Sequence, residues 1–212
     1  PTYAPIYDPE NKEYYYTNFY GVSNITHPLE NIERYKNQYG KQHRLLATGK
    51  GIVTLYDTKK FNRGDNYNHS LKFTTTFTED LRMNNSTSFL DPHKTSWGRN
   101  QYGEASDTRS TDLVTVWDNV LNYTTNMNGH NLDVMVGSSY THSMWTQSYI
   151  AGSHFADGTI QTLNAANKID PGSTNTTASE WAIMSGFARV SYNYESRYLI
   201  SANMRADGSS RL

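Results

Sequence analysis

Seven histidines are the residues of this chain best suited to metal binding or acid–base chemistry, and they stand singly at positions 27, 43, 69, 93, 130, 142 and 154. Zinc sites on helices commonly use two histidines four positions apart, as in His-Glu-x-x-His. No such pair occurs in the sequence. We therefore predict no metal site.

Nucleophilic or acid–base catalysis also lacks a framework. Serines are plentiful, but no Gly-x-Ser-x-Gly sequence surrounds one of them, as a strained nucleophile turn would require. The adjacent carboxylates Glu79 and Asp80 fall where we expect a turn, so they predict solvated side chains rather than a glycosidase pair. The sequence predicts no catalytic residue and no cofactor.

Four aromatic residues are the best candidates for contact with a ligand: Trp145, Tyr149 and Phe155 near the start of a long polar segment, and Trp181 just after its end. Flat rings stack on sugar faces and on peptide side chains. The alternative is that these rings pack the segment against neighbouring loops or against a partner protein. Both interpretations remain open from the sequence.

Two kinds of short motif carry little weight. Arg63-Gly64-Asp65 matches an adhesion tripeptide, and Asn24, Asn122 and Asn175 each begin an Asn-x-Thr glycosylation sequence. Gly and Asp are ordinary turn residues, and the chain is rich in Asn and Thr. We expect these matches to arise by chance.

The composition favours strands and excludes several functions. Apolar residues make up 36% of the chain and charged residues 18%, while tyrosine occurs 17 times. Lys plus Arg (19) nearly balances Asp plus Glu (20), so nucleic acid is not expected as a partner. The absence of Cys excludes thiol catalysis and disulfides. No stretch of 18 apolar residues predicts a transmembrane helix, but strands that cross a membrane need only one apolar face.

Alternation of apolar and polar residues predicts antiparallel strands that are clearest towards the C-terminus. We expect a loop and an entering strand in residues 1–43, strands in 44–90 with a hairpin turn at Glu79-Asp80, and hairpins in 113–142 and 181–212. The first of these later hairpins turns at 126–129, the second at 195–197. Residues 91–112 and 143–180 are predicted to be long loops between them.

The lengths of these connections alternate between short turns and long polar segments. A β-sandwich has no reason for this inequality, whereas outer-membrane barrels have short periplasmic turns and long extracellular loops. Tyr192, Tyr194 and Tyr198 flank one short turn and Tyr123 lies near another, where rings would sit at a membrane–water boundary. These two features together favour a transmembrane barrel.

Three sequence blocks resemble one transporter family. GFARVSYNYESRYLISANMRADGSSRL (Gly186 to Leu212) is similar to the signature hairpin of SusC-like, or SusC/RagA-type, TonB-dependent outer-membrane transporters of Bacteroidetes. DNVLNYTTNMNGHNLDVMVGSSY (Asp118 to Tyr140) resembles the preceding hairpin. PTYAPIYDPENKEYYY and NITHPLENIERYKN resemble the loop before those strands. Ala206, Leu212 and His27 depart from the residues usual in that family without breaking the pattern.

The resemblance implies an all-β fold, part of a 22-stranded barrel with a separate N-terminal plug that this sequence does not contain. It implies about six or seven adjacent strands, with Lys72, Arg189, Asn203 and Arg205 facing the lumen. Because the sequence starts without Met and stops in mid-pattern, we expect a piece of a longer chain.

The resemblance also implies a function and its partners. The expected activity is TonB-dependent import of an oligosaccharide or peptide across the bacterial outer membrane, with no bond broken by this chain. The implied partners are a SusD-like surface lipoprotein, TonB through the missing N-terminal part, the ligand and outer-membrane lipid. The competing hypothesis is a secreted β-sandwich module for carbohydrate binding or adhesion, in which the same alternation would bury one face in a protein core.

Overall fold

The computed structural model describes residues 6–7, 27–58 and 67–211. Most of the predicted N-terminal loop, the Arg63-Gly64-Asp65 tripeptide and the Asn24 motif lie outside the described residues. No helix among the described residues is long and apolar enough to cross a membrane.

Antiparallel strands make up most of the described chain, as predicted. They form one seven-stranded sheet within the described residues, in the order β1-β2-β3-β4-β6-β7, with the short β5 paired to β4. The elements are α1 (Pro28–Tyr35), β1 (Gln38–Asp57), β2 (Tyr67–Leu90), α2 (Ser96–Gln101), β3 (Glu104–Met127), β4 (His130–Ser153), β5 (Lys168–Ile169), β6 (Asn175–Tyr194) and β7 (Tyr198–Ser209).

Two tight turns have the chemistry that hairpins need. Between β3 and β4, Asn128 and Gly129 both have positive φ (48° and 84°), as the two-residue turns that match strand twist require. Between β6 and β7, Glu195 and Ser196 have φ of 47° and 58°, and Asn193 Oδ1 accepts a hydrogen bond from Ser196 N at 2.8 Å. Both turns lie where the sequence predicted them.

The predicted turn at Glu79-Asp80 is wrong, because β2 runs through these residues without interruption. Asp80 is held in mid-strand by Arg44 of β1, whose Nε and Nη2 donate to the carboxylate at 2.7 and 2.9 Å. Arg82 Nη2 donates to the same carboxylate at 2.6 Å. Asp80 therefore forms a cross-strand ion pair in the middle of a strand and is not part of a turn.

The long connections are shorter than the predicted loops 91–112 and 143–180, since β3 begins at Glu104 and β4 ends at Ser153. Their polar sequence misled the prediction. Hydroxyl and amide groups in these stretches bond across neighbouring strands, as Ser88 Oγ does with Ser106 Oγ at 2.7 Å and Asn84 Nδ2 with Ser110 Oγ at 3.3 Å. The structure leaves connections at 91–103 and 154–174.

The residues group into two compact units. One, here the long-connection unit, comprises residues 1–43, 83–111 and 146–178, and so contains both long connections and both α-helices. The other, here the short-turn unit, comprises residues 44–82, 112–145 and 179–212 and contains both tight turns.

A small apolar core organises the long-connection unit. Phe89, Ala105 and Phe155 are buried together, and the rings of Phe89 and Phe155 meet edge to face with centroids 5.2 Å apart. Phe155 N donates to Tyr102 O at 2.7 Å, which fastens the connection after β4 to the one after β2. Leu163, Ala165 and Ala166 cover this core.

Candidate functional site

The β6–β7 hairpin of the short-turn unit separates its side chains into two faces. Because successive side chains of a strand point to opposite faces, directly paired residues share a face. The first face, here the polar face, carries the pairs Ile183–Ser209, Ser185–Asp207, Phe187–Arg205, Arg189–Asn203, Ser191–Ser201 and Asn193–Leu199, so it holds every charged side chain of these pairs but also Phe187 and the 72% exposed Leu199. The second, here the apolar face, carries Met184–Gly208, Gly186–Ala206, Ala188–Met204, Val190–Ala202, Tyr192–Ile200 and Tyr194–Tyr198 and no charged side chain.

The apolar face is widely exposed. The exposed fractions are 72% for Met204, 69% for Ile200, 66% for Met184 and 41% for Val190. Contiguous apolar surface of this kind is unfavourable in water and marks a surface that meets another apolar phase. The two faces of this hairpin therefore suit two different surroundings.

Ion pairs hold the charges of the polar face within the short-turn unit. Arg189 Nη2 lies 3.3 Å from Asp133 Oδ1 on β4, and Arg205 Nε lies 2.8 Å from Asp207 Oδ1. Arg205 also donates to Ser185 Oγ at 3.1 Å. Asn203 lies directly opposite Arg189 in the sheet. The polar face thus contains three of the residues predicted to face a lumen: Arg189, Asn203 and Arg205. It remains a prediction that this face lines a lumen.

A polar cavity of about 650 Å³ lies in the short-turn unit and contains Lys72, the fourth of these residues. Asp57 and Asp133 add carboxylates to its lining, and most of the other lining residues carry hydroxyl or amide groups, although Tyr192 and Ile200 of the apolar face also contribute. Ser70 Oγ and Thr125 Oγ1, which belong to the same lining, are buried with no hydrogen-bond partner among the described residues. Buried polar atoms are normally satisfied, so this cavity suits water or a polar segment.

The four predicted ligand-contact aromatics do not form one cluster in either unit. Phe155 is only 5% exposed and packs in the core of the long-connection unit, so little of its ring is available to a ligand. Tyr149 is half-buried in the same unit. Trp145 and Trp181 are half-buried in the short-turn unit, where the Arg211 guanidinium lies 5.3 Å from the Trp181 ring. For Trp145, Tyr149 and Trp181, ligand contact stays a prediction.

The sequence prediction missed an exposed apolar patch on the two helices of the long-connection unit, here the helical patch. Ile32, Tyr35 and Trp97 are 65%, 52% and 50% exposed, and the Arg34 guanidinium lies 4.5 Å from the Trp97 ring centre. Leu29, Ile32 and Tyr35 recur every three positions of α1, which was the available signal.

A buried carboxylate fixes the two helices to each other. Glu30 of α1 is 1% exposed, and its Oε1 accepts hydrogen bonds from both the backbone N and the Oγ of Ser96 at the start of α2. Thr95 caps α2, since its Oγ1 accepts from Gly98 N at 2.9 Å. The helical patch therefore rests on a polar anchor and not on an apolar core.

Two carboxylates of the connection 154–174 are stabilised in their charged form. The Thr159 amide lowers the pKa of Asp157, with its N 2.8 Å from Oδ1. The Ser173 hydroxyl, followed by the Gly172 amide, lowers the pKa of Asp170. Across the described residues, no group of three or more His, Cys, Asp and Glu side chains could hold a metal ion.

Comparison with known proteins places this fold. No family model matches the chain. Over 95 residues it is 35% identical to the TonB-dependent receptor P39 of Formosa agariphila, a match that covers 44% of this chain and 9% of the receptor. Its fold matches the structure of the RagAB peptide transporter with a TM-score of 0.64 and 18% identity, over 93% of this chain and 20% of that one. The chain has the fold of a barrel segment of a TonB-dependent transporter.

The other solved structures agree. The closed-closed and open-open states of the RagAB peptide importer match with TM-scores of 0.63 and 0.64. The resemblance to SusC-like TonB-dependent transporters of the bacterial outer membrane, which the sequence predicted, is thereby confirmed. The chain spans about a tenth of the curated relative and a fifth of the solved chains.

Proposed function

We propose that this chain forms part of the barrel wall of a transporter that imports an oligosaccharide or a peptide across the outer membrane by a TonB-dependent mechanism. The chain contributes no catalysis: it separates lipid from a wet interior. The register of β6 and β7 carries this proposal, because it places the paired charged side chains Arg189, Arg205 and Asp207 on one face and leaves the other face uncharged, mostly apolar and exposed.

The two faces have separate tasks in this proposal. The apolar face contacts acyl chains, for which Met184, Ile200 and Met204 provide side chains free of charge and hydrogen-bonding groups. The polar face lines the lumen, where Lys72, Arg189, Asn203 and Arg205 meet water or a plug.

The partner is a SusD-like surface lipoprotein, and TonB acts through a part of the transporter outside this chain. The helical patch supports a protein partner, because it exposes Ile32, Tyr35 and Trp97 in the unit with the long connections. Long connections of outer-membrane barrels lie on the extracellular side, where no lipid would cover such a patch. Aromatic residues together with Arg are enriched at protein interfaces.

Spin labels on neighbouring residues of β7 test the central claim in the full-length transporter reconstituted in phospholipid vesicles. A nitroxide at Ile200 should collide more with oxygen, which dissolves in lipid, than with a water-soluble nickel chelate. A nitroxide at Ser201, the matched control on the opposite face, should show the reverse. Equal access of the chelate to both labels would contradict the proposal.

A transport assay in the native host tests the activity. Deletion of the full-length gene should abolish uptake of one fluorescent oligosaccharide or peptide pool, and the wild-type gene should restore it. Import that continues unchanged in the deletion strain with every pool would refute the proposed transport.

The secreted β-sandwich hypothesis has less support. A sandwich buries the apolar faces of two sheets against each other. The described residues form one sheet, and the apolar face of its β6–β7 hairpin is exposed.

A further inference from the structure

Two places in the short-turn unit repeat the same pair of side chains. His69 Nδ1 of β2 lies 2.7 Å from the Tyr123 hydroxyl of β3, and the two rings are stacked with centroids 6.1 Å apart. His130 Nδ1 of β4 lies 2.6 Å from the Tyr192 hydroxyl of β6, with centroids 6.0 Å apart. The same geometry thus occurs on two strand pairs of the sheet, β2–β3 and β4–β6.

The second pair lies on the apolar face and next to the tight turns. Tyr192 is paired across the sheet with Ile200, and His130 directly follows the Asn128-Gly129 turn. Further rings extend this pair, because His130 lies 4.4 Å from Tyr194, and Tyr194 stacks on Tyr198 at 6.5 Å. Tyr198 is 66% exposed, and the Arg197 side chain beside it is 77% exposed.

Each His–Tyr pair leaves one hydrogen-bond donor that the bond within the pair does not use. A neutral imidazole and a phenol together carry two polar hydrogens, and the bond between them uses one. If the tyrosine hydroxyl donates to His Nδ1, the His Nε2–H is left to donate to another group. If His Nδ1–H donates to the tyrosine oxygen, the tyrosine O–H is left instead. Among the described residues, His130 Nε2 makes no hydrogen bond. An apolar face bordered by such donors matches an amphipathic molecule with a phosphate group.

We propose that these His–Tyr pairs bind the phosphate group of membrane phospholipids at the short-turn end of the sheet. The headgroup phosphate accepts hydrogen bonds from the donor that each pair does not use internally, and the exposed Arg197 guanidinium, whose Nη1 lies 3.9 Å from Glu195 Oε2, is near the same turn. The acyl chains extend along exposed apolar side chains such as Val190 and Ile200. This inference rests on the proposed function, which brings the apolar face against lipid.

Phospholipid fits this surface better than a protein partner does. A lipid needs donors for one phosphate beside a strip of apolar atoms, and the His130–Tyr192 pair lies directly beside Ile200. Aromatic rings with polar groups sit favourably at the headgroup level of a bilayer. The structure thus assigns the His–Tyr pairs as headgroup sites and not only as rings that fill the interface.

Native mass spectrometry of the full-length transporter in detergent tests the site with three probes: phosphatidylglycerol, phosphatidylcholine and diacylglycerol, which lacks the phosphate. The wild type should retain both phospholipids in preference to diacylglycerol. The double variant His69→Phe/His130→Phe keeps the stacked rings and removes the nitrogen donors. Its affinity for both phospholipids should fall about tenfold, as expected when charge-assisted hydrogen bonds are lost.

Two further variants separate the site from general effects. His142→Phe is the matched control, because His142 Nε2 is already 2.7 Å from Glu180 Oε1, and it should retain phospholipid as the wild type does. Tyr123→Phe/Tyr192→Phe removes the hydroxyls alone and should also weaken retention, which covers the case in which the histidine variant fails to fold.

Three results would overturn the inference: unchanged phospholipid affinity in both double variants, an equal loss in His142→Phe, or diacylglycerol retained as well as the phospholipids. Each of these leaves the lipid-facing wall intact. Failure of the proposed function would instead show in the spin labels at Ile200 and Ser201, which do not depend on headgroup binding.

Discussion

Arginine placed at Met204 provides the sharpest test of the lipid-facing wall. Met204 is 72% exposed on the apolar face and lies six residues along β7 from Tyr198, one of the rings beside the tight turn. At about 3.4 Å per residue the distance along the strand is roughly 20 Å. A strand tilted by about 40° then carries Met204 roughly 15 Å into an apolar band about 25 Å tall, close to its middle.

That depth sets the expected magnitude. An arginine near the midplane of a barrel wall costs about 2–4 kcal/mol, and the cost falls to about 0–1 kcal/mol near the interface. Met204→Arg should therefore destabilise the transporter by about 2–4 kcal/mol. Ile200→Arg, only two residues from Tyr198, should cost about 1 kcal/mol or less because its charge can reach the headgroups.

Reversible urea unfolding of the full-length protein from phospholipid vesicles measures these differences in the free energy of unfolding. Asn203→Arg is the matched control, since Asn203 lies on the polar face opposite Arg189. It should change stability by about 1 kcal/mol or less. Equal costs at 203 and 204, or a larger cost at 200 than at 204, would refute the assignment of the faces or of the depth.

Three further perturbations test other parts of the structure. Gly137→Ala should destabilise the transporter by about 1–3 kcal/mol in the same unfolding assay, because the added Cβ would lie 2.4 Å from the Phe187 ring and 2.9 Å from Asn119 O. Gly40→Ala is the control and should leave stability unchanged, because a Cβ at Gly40 has open space around it. Glu30→Ala should increase proteolysis of α1 in the folded transporter by removing the acceptor of both Ser96 hydrogen bonds. Because the pKa values of Asp157 and Asp170 are lower when folded, their stabilisation is present above the ordinary carboxyl pKa and is lost as pH falls through the folded values. Amide exchange of residues 154–174, corrected for its intrinsic pH dependence, should therefore speed up below about pH 4. The double variant Asp157→Asn/Asp170→Asn should remove this acid sensitivity. The same increase of exchange at low pH in the double variant as in the wild type would contradict this role of the two carboxylates.

The hairpins at the tight turns could be predicted from the sequence for a physical reason. Apolar and charged residues fall on opposite faces along β6 and β7, and Asn128-Gly129 supplies the positive φ that a short turn needs. Both signals are local in sequence. They fix the strands and their register without knowledge of distant contacts.

Contacts between distant residues account for the errors. Asp80 looks like a turn residue until Arg44, far away in the chain, is placed beside it in the sheet. The stretch that contains Ser106 looks like a loop until Ser88 bonds to it from the neighbouring strand. Phe155 looked available to a ligand because nothing local shows that Phe89 covers its ring.

In the proposed transporter, the ion pairs of the short-turn unit would limit how this wall treats a passing solute. Asp133 and Asp207 each hold one arginine, and Asp80 holds both Arg44 and Arg82, so most of these charges are paired and one guanidinium charge is in excess. A solute moving along this stretch of the proposed wall would meet mainly dipoles and hydroxyls. Cargo recognition along this stretch would then depend more on shape and hydrogen bonding than on the sign of the cargo's charge.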